Sequence, residues 1–96
     1  MADVEVRPGA YLLRIAPEAR RALTDRLPQS VACAAYRFIT GPLLMQPYEV
    51  GLPLCDSLSG MWCAQRGTYR VRYTADESTG TVDVLDIAPR TVLHLV

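Results

Sequence analysis

Tyr69-Arg70-Val71-Arg72-Tyr73 alternates without a break between large apolar and cationic side chains. A period of two belongs to a β-strand with one face on a core and the other turned outward. Tyr69, Val71 and Tyr73 therefore share one face, and Arg70 and Arg72 share the other. A second segment, Thr81-Val82-Asp83-Val84-Leu85-Asp86-Ile87, also reads as a strand. Strict alternation there places Val82, Val84 and Asp86 on one side and Leu85 and Ile87 on the opposite side. Asp76-Glu77-Ser78-Thr79-Gly80 joins the two, and its polar, glycine-ended composition predicts a hairpin loop.

Working outward, Gly60 to Gln65 reads as a preceding strand and Val50-Gly51-Leu52-Pro53-Leu54 as a loop packed on the core. The N-terminal half has a different period. Tyr11-Leu12-Leu13-Arg14-Ile15 predicts an opening strand. Pro17 then suits a first helical turn, where its missing N–H would be unpaired in any case. Ala19, Ala22, Leu23 and Leu27 form one helical stripe over Glu18 to Leu27. Pro28 breaks this helix and opens another running to Phe38 or Ile39, with Val31, Ala32, Ala35, Phe38 and Ile39 as its stripe. Gly41-Pro42 stops it, and Leu43-Leu44-Met45 adds one short turn. The short break at Leu27-Pro28 implies a helical hairpin. The predicted class is α+β: an N-terminal strand, a helical hairpin, then an antiparallel meander forming one sheet packed on the two helices.

The chain of 96 residues is half hydrophobic, which suits one globular domain over residues 1–96 with residues 1–9 as a flexible extension. No apolar run is long enough to span a bilayer, and the acidic N-terminus is unlike a signal peptide. A cytoplasmic protein is expected, with no membrane partner. Cys33, Cys55 and Cys63 include no Cys-x-x-Cys pair and the only histidine is His94, so three reduced thiols are expected and no metal or other cofactor.

Net charge is zero, yet all 10 basic residues are arginines. Codon bias in a GC-rich genome produces such a composition. Arginine is also the better phosphate ligand, since its planar fork is always charged. Late in the chain stand Arg66, Arg70, Arg72 and Arg90, with His94 beyond. If Arg66 and Arg90 converge on the face carrying Arg70 and Arg72, they form a positive surface able to grip phosphates. The bland alternative is a solvated sheet face whose arginines pair loosely with Asp83 or Asp86. Trp62 and Tyr69 have the chemistry to stack on bases, but core packing is the ordinary fate of a strand aromatic.

The stretch from Gly51 to Tyr73 resembles the central block of RelE/ParE toxins. It holds Gly51-Leu52-Pro53-Leu54, then Leu58-Ser59-Gly60, then Gln65-Arg66-Gly67-Thr68-Tyr69-Arg70-Val71-Arg72-Tyr73. Ala16 to Leu27 is similar to the family's first helix. Phe38 to Pro47 matches a Gly-Pro-Leu-Leu-x-x-Pro variant found within the family. Val82 to Arg90 resembles its last strand and following arginine. The resemblance implies a toxin of a type II toxin–antitoxin system that cuts mRNA on the ribosome without a metal, using the RNA's own 2′-hydroxyl as nucleophile. It implies Arg70, Arg90 and His94 as catalytic residues, Arg66 and Arg72 as phosphate-binding residues, and a small cognate antitoxin as partner. The sequence departs from the family by lacking strand lysines near Met61 to Gln65 and by carrying His94 where relatives have tyrosine. Two alternatives remain: a gyrase-inhibiting, ParE-like toxin, and a catalytically weak toxin acting mainly through its antitoxin.

Overall fold

The computed structural model describes residues 10–54 and 60–90. The 69–87 segment does form a hairpin, with β4 (Tyr69–Asp76) antiparallel to β5 (Thr81–Pro89). In its loop the Asp76 carboxylate accepts from both the backbone N–H and the hydroxyl of Ser78, at 2.9 and 2.7 Å. These bonds hold the Asp76 carboxyl below the usual carboxylate range. Upstream, β3 (Trp62–Arg66) pairs antiparallel with β4 through the two-residue turn Gly67-Thr68. Gly67 sits at φ +52°, a conformation that costs other residues energy.

Among the described residues two further strands, β1 (Leu12–Ile15) and β2 (Leu52–Pro53), give a five-stranded mixed sheet in the order β1-β5-β4-β3-β2. β1 (Leu12–Ile15) runs parallel to β5, with Leu12 opposite Thr81 and Ile15 opposite Val84. The meander thus stays antiparallel while the opening strand adds a parallel edge. At the other edge Leu52–Pro53, read from sequence as loop, forms the two-residue strand β2 against Trp62 and Cys63. Two residues are too short to show a period, so the pattern had nothing to register.

The helices lie on one face. α1 (Pro17–Arg21) passes directly into a π-helical turn (Ala22–Arg26), closed by the Leu27 N–H donating to the Ala22 carbonyl at 3.0 Å. The single uniform helix expected over Glu18 to Leu27 is therefore widened in its second half. α2 (Gln29–Thr40) follows Pro28, and α3 (Pro42–Met45) is the expected short turn. Ala19, Ala22, Ala35, Phe38, Ile39, Leu43 and Leu44 from this layer meet Ala64, Tyr69, Val71, Tyr73, Val82, Val84 and Ile87 from the sheet. These residues form one continuous core.

One expectation about β5 is overturned. Arg72 pairs with Asp86 but Tyr73 pairs with Val84, so Leu85 is an extra residue in β5. This β-bulge resets the alternation. Val82, Val84 and Ile87 all face the core, and Asp83 and Asp86 both face outward. Without it, one of two costs would follow: a carboxylate among apolar side chains or an isoleucine lost from the core.

Tyrosine hydroxyls tie the sheet to its surroundings. Tyr73, fully buried, donates to the Pro47 carbonyl at 2.6 Å, and Tyr69 donates to Ala34 of α2 at 3.3 Å. Gly51 lies against the Tyr73 hydroxyl, and a Cβ there would fall 2.9 Å from the Cys63 carbonyl. Burial raises the Tyr69 pKa, and pushes Tyr73 from the ordinary 10.0 up to about 12.

Three outcomes follow from these contacts. Tyr73→Phe should lower the urea midpoint by the equivalent of about 1 kcal/mol, since the hydroxyl's hydrogen bond is lost. Tyr73 is neutral in the folded protein until its raised pKa is passed, whereas the unfolded side chain ionises near 10. Its contribution is therefore whole below pH 10 and fades as the pH rises toward 12; the Phe variant should lose less stability across that window. Deleting Leu85 should leave thermal unfolding cooperative, because the shortened strand alternates strictly and still turns Val84 and Ile87 inward and Asp86 outward; loss of the cooperative transition would show that the bulge itself is needed.

Candidate functional site

The sheet face opposite the helices is built by the same alternation that fills the core. On β4 it shows Arg70, Arg72 and Thr74, each half-buried between its neighbours. The rungs across the face follow from the register. Arg70 lies between Gln65 of β3 and Ala88 of β5, Arg72 between Cys63 and Asp86, and Thr74 beside Asp83. Asp83 in turn faces Arg14 of β1. Successive rungs on one strand are about 7 Å apart.

The arginines of this face differ in their partners. Arg14 Nε lies 3.0 Å from Asp83 Oδ1, and Arg72 Nη2 lies 3.2 Å from Asp86 Oδ2. Arg70 and Arg90 have no carboxylate at ion-pair distance among the described residues. Arg90 follows the end of β5, where its N–H donates to the Thr68 carbonyl at 2.8 Å and extends the ladder by one residue. It stands two positions after Ala88, the partner of Arg70. Continued alternation therefore places Arg70 and Arg90 on the same face of adjacent strands, Arg90 two residues beyond Ala88. Both backbone positions lie at the end of the sheet marked by the Gly67-Thr68 turn.

Arg66 belongs to the same end but to the other face. It alternates with Ala64 and Trp62, which pack toward the helices, and its guanidinium lies 4.8 Å from the centroid of the Phe38 ring. That distance is a cation–π contact. Arg66 therefore does not join Arg70 and Arg72 as the sequence pattern allowed. Trp62 is half-buried against the core and meets Tyr48 edge-to-face at 5.1 Å, while Tyr69 is buried. His94, the expected proton carrier, lies outside the described residues, as do Cys55 and residues 1–9. Asp86 is the participant that the sequence misplaced, because the bulge that turns it outward leaves no mark in a period-two pattern.

Chemically, the Arg70/Arg90 end can stabilise an oxyanion or a phosphate by fixed charge and directed N–H groups. Guanidinium groups do not give up protons near neutrality, so proton transfer would need another residue. Among the described residues no cluster of three or more His, Cys, Asp or Glu side chains stands ready to hold a metal ion. No helix among them is long and apolar enough to cross a membrane.

No protein-family profile matches the chain. Individual relatives do. Toxin RelE of Mycobacterium tuberculosis is 41% identical over 84 residues, covering 88% of this chain and 86% of the relative. Toxin RelG of the same organism is 37% identical over 84 residues, covering 88% and 95%. Among solved structures, the toxin–antitoxin complex RelBE2 from Mycobacterium tuberculosis superposes with a TM-score of 0.80 at 38% identity, covering 84% of this chain and 99% of the other. The isolated Escherichia coli RelE toxin, only 15% identical, shares the fold with a TM-score of 0.70 and 88% coverage of each chain. Identity above one third across nearly the whole length, on the same sheet and helical hairpin, makes this chain a member of the RelE toxin family.

Proposed function

We propose that this toxin is a metal-independent endoribonuclease that cuts mRNA on the ribosome and so arrests translation in the cytoplasm. The observation that carries the reading is the pair Arg70 and Arg90, two guanidinium groups on one face with no carboxylate partner among the described residues. In the proposed reaction Arg70 grips the scissile phosphate and Arg90 stabilises the charge that builds on its oxygens. The RNA 2′-hydroxyl attacks, the 5′-oxygen leaves, and a 2′,3′-cyclic phosphate remains on the upstream fragment. His94 moves the proton, a task suited to an imidazole with an unperturbed pKa of about 6.5. Arg72 adds positive field beside Arg70 on the same face, whereas Arg66, held on the opposite face against Phe38, takes no part in this grip.

A cognate antitoxin completes the proposal, because the family's structures include toxin–antitoxin complexes. The surface that suits it is a mainly apolar groove of about 670 Å³ between the π-helical turn and α2, lined by Leu23, Leu27, Ala32, Cys33 and Tyr36. Tyr36 is 47% exposed there. An amphipathic segment is the partner such a groove accepts.

Induced expression followed by primer extension on a reporter mRNA tests the catalytic reading. Arg70→Ala, Arg90→Ala and His94→Ala should each reduce cutting by about 100-fold or more, the usual loss when a transition-state charge partner is removed. Cuts that persist in Arg70→Ala would remove the mechanism. Growth arrest with intact mRNA and blocked gyrase would instead identify a ParE-like activity. Tyr36→Asp should weaken co-purification with the antitoxin while leaving cutting intact.

A further inference from the structure

The outer sheet face holds its arginines in two different states. Arg70 and Arg90 have no acidic partner among the described residues, while Arg72 is held by Asp86. That second contact has unusual features for an ion pair. Arg72 and Asp86 are directly opposed in register, their side chains are 33% and 25% exposed, and their proximity is assured by the backbone. Yet they share a single bond, at 3.2 Å, where a charge-assisted bond is commonly 2.7–2.9 Å and an arginine–carboxylate pair is often bidentate. The Arg72 Nε is enclosed and has no hydrogen-bond partner. The enclosed Nε is out of reach of a ligand, but the half-exposed guanidinium makes only one long bond through Nη2, so its Nη N–H groups have capacity left for another acceptor.

Its position decides which acceptor that would be. Arg72 is one rung from Arg70 on the same strand and face, about 7 Å away. The line Arg90, Arg70, Arg72 thus runs from the turn end toward the middle of the face. Beyond it the charge reverses, with Asp83 on the next rung and Asp76 and Glu77 at the far hairpin. A single-stranded polyphosphate gripped at Arg70 that extends along β4 meets Arg72 next.

We propose that Arg72 is a second phosphate position for single-stranded RNA, and that the Asp86 carboxylate occupies it in the free protein as an internal competitor. The inference rests on the RNA-cleaving reading of the Arg70 end. Asp86 thereby lowers affinity for RNA that reaches one nucleotide past the scissile phosphate. The Leu85 bulge makes this competition possible, because it is what turns Asp86 toward Arg72.

The test is binding of a labelled single-stranded 2′-O-methyl RNA oligonucleotide, which lacks the attacking hydroxyl and stays intact, measured by fluorescence anisotropy across a salt series with the full chain. Asp86→Asn should tighten binding roughly two- to fivefold, the scale of one partly exposed charged contact, and steepen the salt dependence by about 0.7 in the log–log slope. Asp83→Asn, which removes the same charge from the same face but frees only Arg14, should change affinity much less. Arg72→Ala or Arg72→Gln should cost more in the Asp86→Asn background than in the native one, and should cancel the gain. Equal gains from Asp83→Asn and Asp86→Asn, no gain from Asp86→Asn, or a gain that survives loss of Arg72 would each overturn the inference alone, provided Arg70→Ala weakens binding. Binding indifferent to Arg70→Ala, or absent throughout, would overturn the RNA reading and the inference with it.

Discussion

The requirement that β5 serve two incompatible surfaces governs this molecule. Val82, Val84 and Ile87 must enter one core, and Asp83 and Asp86 must stay out of it. A strand with strict period two cannot do both, because Val84 and Ile87 are an odd number of residues apart. The extra residue at Leu85 resolves the conflict locally. Much else follows from that step: the closure of the core against α2, the Arg72–Asp86 pair, and the return of Ala88 and Arg90 to the side occupied by Arg70. Bulges are found where a side chain has to be re-aimed, and here the re-aimed side chains are those of the charged face.

The core and the charged face are two readings of the same strands. Each apolar residue of β4 that anchors the helices forces its neighbours outward, so packing and electrostatics are coupled through backbone parity. Tyr69 and Tyr73 extend this coupling past the sheet. Their hydroxyls reach backbone carbonyls of α2 and of the segment before β2, and so hold the helical layer and the connecting loop to the strand that carries the arginines. Fixed charges aimed at developing negative charge are effective only when they need not reorganise during a reaction. A strand clamped on its reverse side by buried tyrosines meets that condition better than a loop would.

What the sequence revealed and what it hid divide along the range of the interaction. The arginine alternation of β4, the helical stripes ending at Pro28 and Gly41, and the polar hairpin loop were all legible, because each is set by neighbours within a few residues. The α+β class followed from them. The parallel pairing of β1 with β5 was not legible, since nothing in Leu12–Ile15 names its partner. The bulge at Leu85 was hidden for a related reason: its benefit is paid out in contacts with α2 and β4, not in local propensity. The position of Arg66 was misjudged as one of a set of late arginines, although counting two residues on from Ala64 puts it on the helix side, where Phe38 receives it. Family resemblance supplied the functional reading, since pattern alone favoured a solvated surface.

The pairing of the first strand with the last has a bearing on how the protein comes into being. β1 finds its partner only once Thr81 to Val84 have been synthesised, and Arg90 arrives later still. A nascent chain released early, by a stop codon or a stalled ribosome within the last strand, lacks both the seam that closes the sheet and half of the guanidinium pair. Truncation inside the last strand thus removes, in one stroke, part of the seam along β5 and one of the two arginines of the proposed RNA site.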